Sequence, residues 1–211
     1  MAATSMPIAT LTAIEILRAG GNAIDAAIAA CAVLAVVEPQ STGLGGDCFC
    51  LYAPAGADKV IAVNGSGRSA AAASLEAIEA AGPIPPDDVS PHAVTIPGAV
   101  SGWQLLLDAY GTKGFDELLA PAIRYAEDGF PVHSRVAWDW STQEEKLRRA
   151  GNKLFLPNGR APREDGARRH AARHRQARRQ RLLQRAGRRR HGRDAASGRR
   201  SADGRGFRQR T

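Results

Sequence analysis

Residues 41–52 read STGLGGDCFCLY. Three glycines within four residues (Gly43, Gly45, Gly46), then Asp47 and the pair Cys48 and Cys50, could serve three kinds of chemistry. They could cradle a phosphate, hold a metal or redox centre, or turn the backbone tightly beside something else. A dinucleotide fingerprint needs a strand, then glycines, then a helix whose N-terminal amides face the pyrophosphate. Here an apolar helical stretch comes before the glycines and a strand-like stretch after them, and no Lys-Ser/Thr completes a P-loop. Metal sites favour C-x2-C and a second ligand pair, whereas this is C-x-C with no second pair. Two residues apart on a strand, Cys48 and Cys50 share one face and are badly placed to bond each other. They read best, with Cys31, as small buried hydrophobes. A tight turn launching a strand is what remains.

Charge divides the 211 residues into two unlike parts. Residues 163–211 hold 18 of the 29 basic residues, all arginine, and 4 of the 21 acids, a net of +14. Residues 1–162 carry −6. Three clustered cysteines do not make a disulfide framework. The opening MAATSMPIAT lacks a basic start and an apolar run, so no secretory signal is visible and a cytoplasmic location is the default. The longest apolar run, Ala26 to Val37, falls short of the roughly 20 residues needed to span a bilayer.

The elements that must position the turn follow from local signals. Pro7 suits a first helical position, apolar residues recur at helical spacing, and Gly20-Gly21 stops the helix. Asn22 caps the next helix, with Asp25 completing a variant of the capping box. That helix, Ala23 to Val37, carries Asp25 as its one charge and is expected to be buried all round. CFCLYA and KVIAVNG read as two strands around the turn PAGAD. A short helix and loop occupy 69–91, and two helices closed by glycine follow in 98–129. SRVAWDWSTQEEKLRRAG is expected to form one amphipathic helix.

The segment GGNAIDAAIAACAVLAVVEPQSTGLGGDCF resembles the N-terminal signature of the γ-glutamyltransferase (γ-glutamyltranspeptidase) family of N-terminal-nucleophile hydrolases. The likeness continues in order through NGSGRSA, IPGAVSGWQLLLDAYGT, LLAPAIRYAEDGFPV and LFLPNGRAP, covering residues 5–162. It implies an α/β (α+β) fold, here part of a four-layer αββα sandwich. Residues 1–162 would be the N-terminal part of the large subunit, and 163–211 a separate Arg-rich tail.

The resemblance implies a precursor that cuts itself and exposes an N-terminal threonine. That threonine attacks a γ-glutamyl amide with its own amino group as base, and backbone amides stabilise the oxyanion. No cofactor or metal is implied. Thr42, Thr95, Thr112 and Thr142 fall in large-subunit context and Thr211 ends the chain, so no catalytic residue is expected here and the chain alone is expected to be inactive. The partner would be a γ-glutamyl or related amide, and only once the missing small subunit completes the site.

In the family an arginine after the second strand pairs with the substrate α-carboxylate, a task suited to a guanidinium. Against that motif Ser66 stands at the arginine position and Arg68 two residues later. Two functional readings stay open: Arg68 does the job from a shifted turn, or the chain belongs to a divergent, acylase-like subgroup taking other acyl groups. A solvated loop charge weighs evenly with them. Asp47, where typical members have a small residue, points to the divergent subgroup. Asp25 is read as a cap. Met6 stands where relatives often have histidine, and neither it nor His92 and His133 is assigned chemistry.

The tail's hydrophobic residues other than alanine are Leu182, Leu183 and Phe207, too few to offset ordering entropy, so disorder is expected. An arginine-rich arm could neutralise nucleic-acid phosphates, which makes a non-enzymatic nucleic-acid-binding protein the alternative function. The tail has no lysine, however, and its Arg, Ala, Gly, His, Gln and Ser are what a GC-rich gene yields out of frame. A frameshifted product is therefore the preferred reading over a nucleic-acid partner. Translating the underlying DNA in its other two frames from codon 163 is expected to give an apolar-periodic continuation toward a threonine-headed small subunit. Stop codons in both frames, without such a continuation, contradict the frameshift.

Overall fold

The computed structural model describes residues 1–162 except 83, 85, 87–89, 152–154, 157 and 158. The expected Arg-rich tail, with its disorder, lies outside the described residues. Two helices open the chain, α1 (Pro7–Arg18) and α2 (Ala23–Val37), followed by strands β1 (Cys48–Tyr52) and β2 (Ile61–Gly65). Then come α3 (Leu75–Ala81), a 3-10 turn at Pro91–Ala93, α4 (Ala99–Tyr110), α5 (Phe115–Asp128), α6 (Ser134–Thr142) and α7 (Glu144–Arg149). This is the expected mixture of helices with a small sheet.

Local chemistry explains the first two helices. Pro7 begins α1, and the chain leaves it through Gly20 at φ +82°, in the left-handed region that glycine adopts at no steric cost. Asn22 and Asp25 form the capping box in full. The Asn22 side chain accepts from the amides of Ile24 and Asp25, and Asp25 accepts from Asn22 N at 2.8 Å. The helix α2 then packs between α1 and α5, with Val33 and Val37 fully buried beside Leu118.

Two helical expectations need correction. The helix α2 is not buried all round, because Ala23, Ala27 and Cys31 line an exposed strip. Its packing partners α1, α4 and α5 leave that strip uncovered, so Cys31 is not a buried hydrophobe. The single helix expected over 134–151 is broken at Gln143 into α6 and α7. Just before the break, the Ser141 and Thr142 hydroxyls donate to the carbonyls of Trp138 and Asp139, each at 2.7 Å. Such short side-chain bonds compete with the helical ladder and favour its ending there.

The strands pair antiparallel, with Cys50 opposite Val63 and Tyr52 opposite Ile61. Cys48, Cys50, Tyr52, Ile61 and Val63 share the half-buried face, on which α4 lies. The opposite face carries Phe49 at 69 % and Leu51 at 79 % exposure, so among the described residues this sheet is covered on one side only.

At its C-terminal end α4 is held by the same capping box. Asn22 Nδ2 donates to the Tyr110 carbonyl at 2.6 Å, and the Tyr110 ring meets Tyr52 with centroids 4.9 Å apart. Beyond α4, the Thr112 amide (3.0 Å), the Thr112 hydroxyl (2.5 Å) and the Lys113 amide (3.3 Å) all donate to the Asp25 carboxylate. Asp25 has no exposed surface. Burial alone would push its carboxyl up, but the Thr112 hydroxyl and the amides of Asn22, Thr112 and Lys113 together hold it below its ordinary value.

Removing this acceptor strands several donors at once. Asp25→Ala is expected to destabilise the fold by about 2–4 kcal/mol, read as a lower urea midpoint. Because the native carboxyl is depressed, its contribution is complete above the ordinary carboxylate value, about 3.9, and is lost as pH falls through the depressed one. Wild type should therefore lose stability on acidification more steeply than Asp25→Asn. Equal midpoints for wild type and Asp25→Ala would contradict this role.

Candidate functional site

Three separate segments converge where the glycine turn meets the sheet. The turn 43–47 is closed by a bond from Gly46 N to the Gly43 carbonyl. The loop 64–68 leaves β2, with the Asn64 side chain accepting from Ser66 N at 2.9 Å. The N-terminus of α4 arrives as the third, begun by Gly98, which has no side chain to cap it.

The Gly46 carbonyl supplies that cap. It accepts from Gly98 N at 3.0 Å and from Ala99 N at 2.9 Å, satisfying two amides a helix start leaves without intrahelical partners. Glycines at four positions allow so close an approach. A Cβ on Gly98 would lie 2.3 Å from the Gly65 carbonyl oxygen, and one on Gly67 would lie 1.5 Å from that of Ile96. A Cβ on Gly65 would meet the Cys48 carbonyl at 2.7 Å, and one on Gly102 would meet Cys48 Cβ at 3.2 Å.

The turn does meet a helix start, though not the one that a nucleotide fingerprint requires. Sequence order offered no helix start beside the glycines, yet α4 provides one from some fifty residues downstream. Its first two amides are occupied by Gly46 rather than offered to an anion.

Arg68 lies on the surface in the loop that this junction holds. Its carbonyl accepts from Ile96 N at 2.9 Å, tying the loop to the lead-in of α4. The preceding residue, Gly67, donates its amide to Asp47 Oδ1 at 2.9 Å, tying the loop to the glycine turn. Ser66 is exposed alongside. Asp47, Ser66 and Arg68 thus come together although 21 residues separate the first from the last. The bridging role of Asp47 went unread in the sequence; the one signal was its departure from a small residue. The glycine pair of GAVSG, four residues apart and so on one helix face, was a readable sign that α4 packs closely.

The other candidates fall elsewhere. Met6 is buried where α1 begins, and His133 Nδ1 accepts from Arg135 N as the cap of α6. His92 is exposed in the 3-10 turn. Thr42 donates to the Glu38 carbonyl and Thr142 to that of Asp139. Among the described residues Thr112 is the one threonine whose hydroxyl donates to a carboxylate, and that carboxylate is buried, saturated with donors and held acidic, which makes it a poor proton acceptor.

Cys48 and Cys50 are half-buried rather than fully buried, although they lie on the face of the strand that α4 covers. Burial still pushes both thiols above their ordinary value, and Cys50 pushes Cys48 further. Thiols of that kind are weak nucleophiles and weak metal ligands at neutral pH. Among the described residues no group of three His, Cys, Asp or Glu could hold a metal ion, and no helix is long and apolar enough to cross a membrane.

The comparisons with known proteins agree with this architecture. A profile of the Gamma-glutamyltranspeptidase family matches residues 9–190. The glutathione hydrolase proenzyme of Bacillus subtilis is 36 % identical over 164 residues, covering 75 % of this chain and 28 % of the relative. The oxamate amidohydrolase proenzyme of Klebsiella pneumoniae is 40 % identical over 171 residues, covering 77 % of this chain and 32 % of the relative. The crystal structure of a cephalosporin acylase from Bacillus halodurans superposes with a TM-score of 0.68 at 41 % identity, over 76 % of this chain and 31 % of the acylase. The chain therefore spans about a third or less of these relatives, and its mixed fold is that of their N-terminal part. With a family profile matched over most of its length, the chain belongs to the γ-glutamyltranspeptidase family.

Proposed function

We propose that this chain supplies the carboxylate-recognising part of an enzyme that hydrolyses or transfers the acyl group of γ-glutamyl or related amides. The observation that carries this reading is the anchored arginine. Arg68 stands on a loop held from both sides, by Asp47 at Gly67 and by Ile96 at its own carbonyl, so its guanidinium starts from a fixed base. A planar guanidinium pairs with a carboxylate through two parallel bonds, and holding its backbone lowers the ordering cost of doing so. The names of the relatives fit such a substrate class, since glutathione and oxamate each carry both an amide and a free carboxylate.

The chemical step needs a nucleophile, a base and oxyanion donors, and the described threonines offer none of these together. On this reading residues 1–162 hold the carboxylate end of the acyl group by themselves, in place of the expectation that substrate is taken up only once the small subunit is present, and bond cleavage falls to a small subunit bearing the N-terminal threonine. The chain alone is inactive on this reading. For residues 163–211 we retain the frameshift over the nucleic-acid arm. The relatives' alignments cover about three quarters of the chain, which supports that reading, while the family profile's reach to residue 190 counts against a break as early as 163.

Titration calorimetry of the full chain with L-glutamate, and with the same amino acid amidated at its α-carboxyl, tests the arginine. Glutamate should bind the more tightly, and Arg68→Ala should weaken it by about 10–100-fold, the worth of a charge-assisted pair. Arg68→Lys should recover only part, because a point charge cannot replace the fork. Equal binding of acid and amide, or unchanged binding by Arg68→Ala, would remove Arg68 from the site.

A further inference from the structure

The turn that carries Asp47 already has a backbone tie to α4 through the Gly46 carbonyl. Asp47 adds a bond of another kind, from a side chain on one loop to the backbone of another. Its Oδ1 accepts from Gly67 N at 2.9 Å, the amide immediately before Arg68, across 20 residues of sequence. Both partners are at the surface, so the bond does nothing for the core. The stretch it fixes is short and glycine-rich: Gly65, Ser66, Gly67, Arg68. Glycines at 65 and 67 are demanded by the close backbone approaches there, but they leave that stretch the greatest conformational freedom to lose. A loop that must be glycine-rich to fit, and ordered to present an arginine, needs an external acceptor. Asp47 is placed to be that acceptor.

We propose that Asp47 is a positioning residue for Arg68, and that the glycine turn acts in substrate recognition by fixing the arginine loop rather than by touching the ligand. This rests on the reading of Arg68 as the carboxylate receptor. A carboxylate is a stronger acceptor for an amide than a neutral group is, which suits an exposed bond that competes with water. The same arrangement accounts for Ser66 standing at the expected arginine position. With Gly67 clamped to the turn, the residue presented after the clamp is Arg68.

The test uses the full chain at low micromolar concentration, with two readouts. Hydrogen exchange followed by mass spectrometry reports the peptide containing Gly67. Calorimetry with L-glutamate reports recognition. Asp47→Ala should speed exchange at 64–68, leave the peptide containing Gly98 and Ala99 protected, and weaken glutamate binding about tenfold, as expected when a binding group loses its placement. Asp47→Asn keeps an acceptor oxygen, so it should restore most of the protection and most of the affinity, which a loss of charge alone would not allow. If Asp47→Ala does not fold, Asp47→Asn and Asp47→Ser form the series, and serine, too short to span to Gly67, should behave as the loss variant. Unchanged exchange at 64–68, or unchanged glutamate affinity in the loss variant while Arg68→Ala weakens binding as expected, would overturn the proposal. Unchanged binding by Arg68→Ala would instead overturn the reading on which it rests.

Discussion

The site depends on one steric constraint: α4 must lie against the hairpin at backbone distance. A helix normally stands off a sheet by the thickness of its side chains, about 10 Å between axes and planes. Here Gly98 and Gly102 on the helix meet Gly65 and Cys48 on the strands, and a single methyl on Gly98 would run into the Gly65 carbonyl at 2.3 Å. That proximity brings the start of α4 within reach of the Gly46 carbonyl, which then serves as its cap. It also brings the lead-in to α4 within reach of the Arg68 carbonyl. Without the glycines the turn, the arginine loop and the helix start would be three independent surface segments.

The opposite end of α4 is fixed by a different force. There a buried carboxylate, Asp25, collects donors from its own helix cap and from the residues that follow α4, while Asn22 holds the last carbonyl. Burying a charge is costly unless hydrogen bonds replace its hydration, and four donors do so here. Steric fit at one end and a satisfied charge at the other leave α4 little freedom to slide. The loops attached to it inherit that rigidity, as a recognition site requires.

Much of this was legible because the signals were local. The Pro7 start, the Asn22–Asp25 box, the alternation of CFCLY and the glycines closing α4 and α5 each act over a few residues, and each element formed where they placed it. What the sequence hid depends on partners far along the chain. Asp25 read as a cap and nothing more, since Thr112 is 87 residues away. The capping of α4 by Gly46 involves backbone groups that every residue possesses, so no residue type announces it. The exposure of Cys31 and the uncovered face bearing Phe49 and Leu51 could not be read from an apolar pattern, which says what could be buried but not what covers it. Arg68 was found through family resemblance, and its setting emerged only when the turn, loop and helix were seen together.

The claim on which the rest turns is that Arg68, presented by the anchored loop, receives the carboxylate of an acyl amide. A crystal structure of this chain grown with L-glutamate tests it most directly. The α-carboxylate should lie within hydrogen-bond distance of the Arg68 guanidinium, with the bond from Gly67 to Asp47 intact. Glutamate bound elsewhere, with Arg68 turned into solvent, would contradict it.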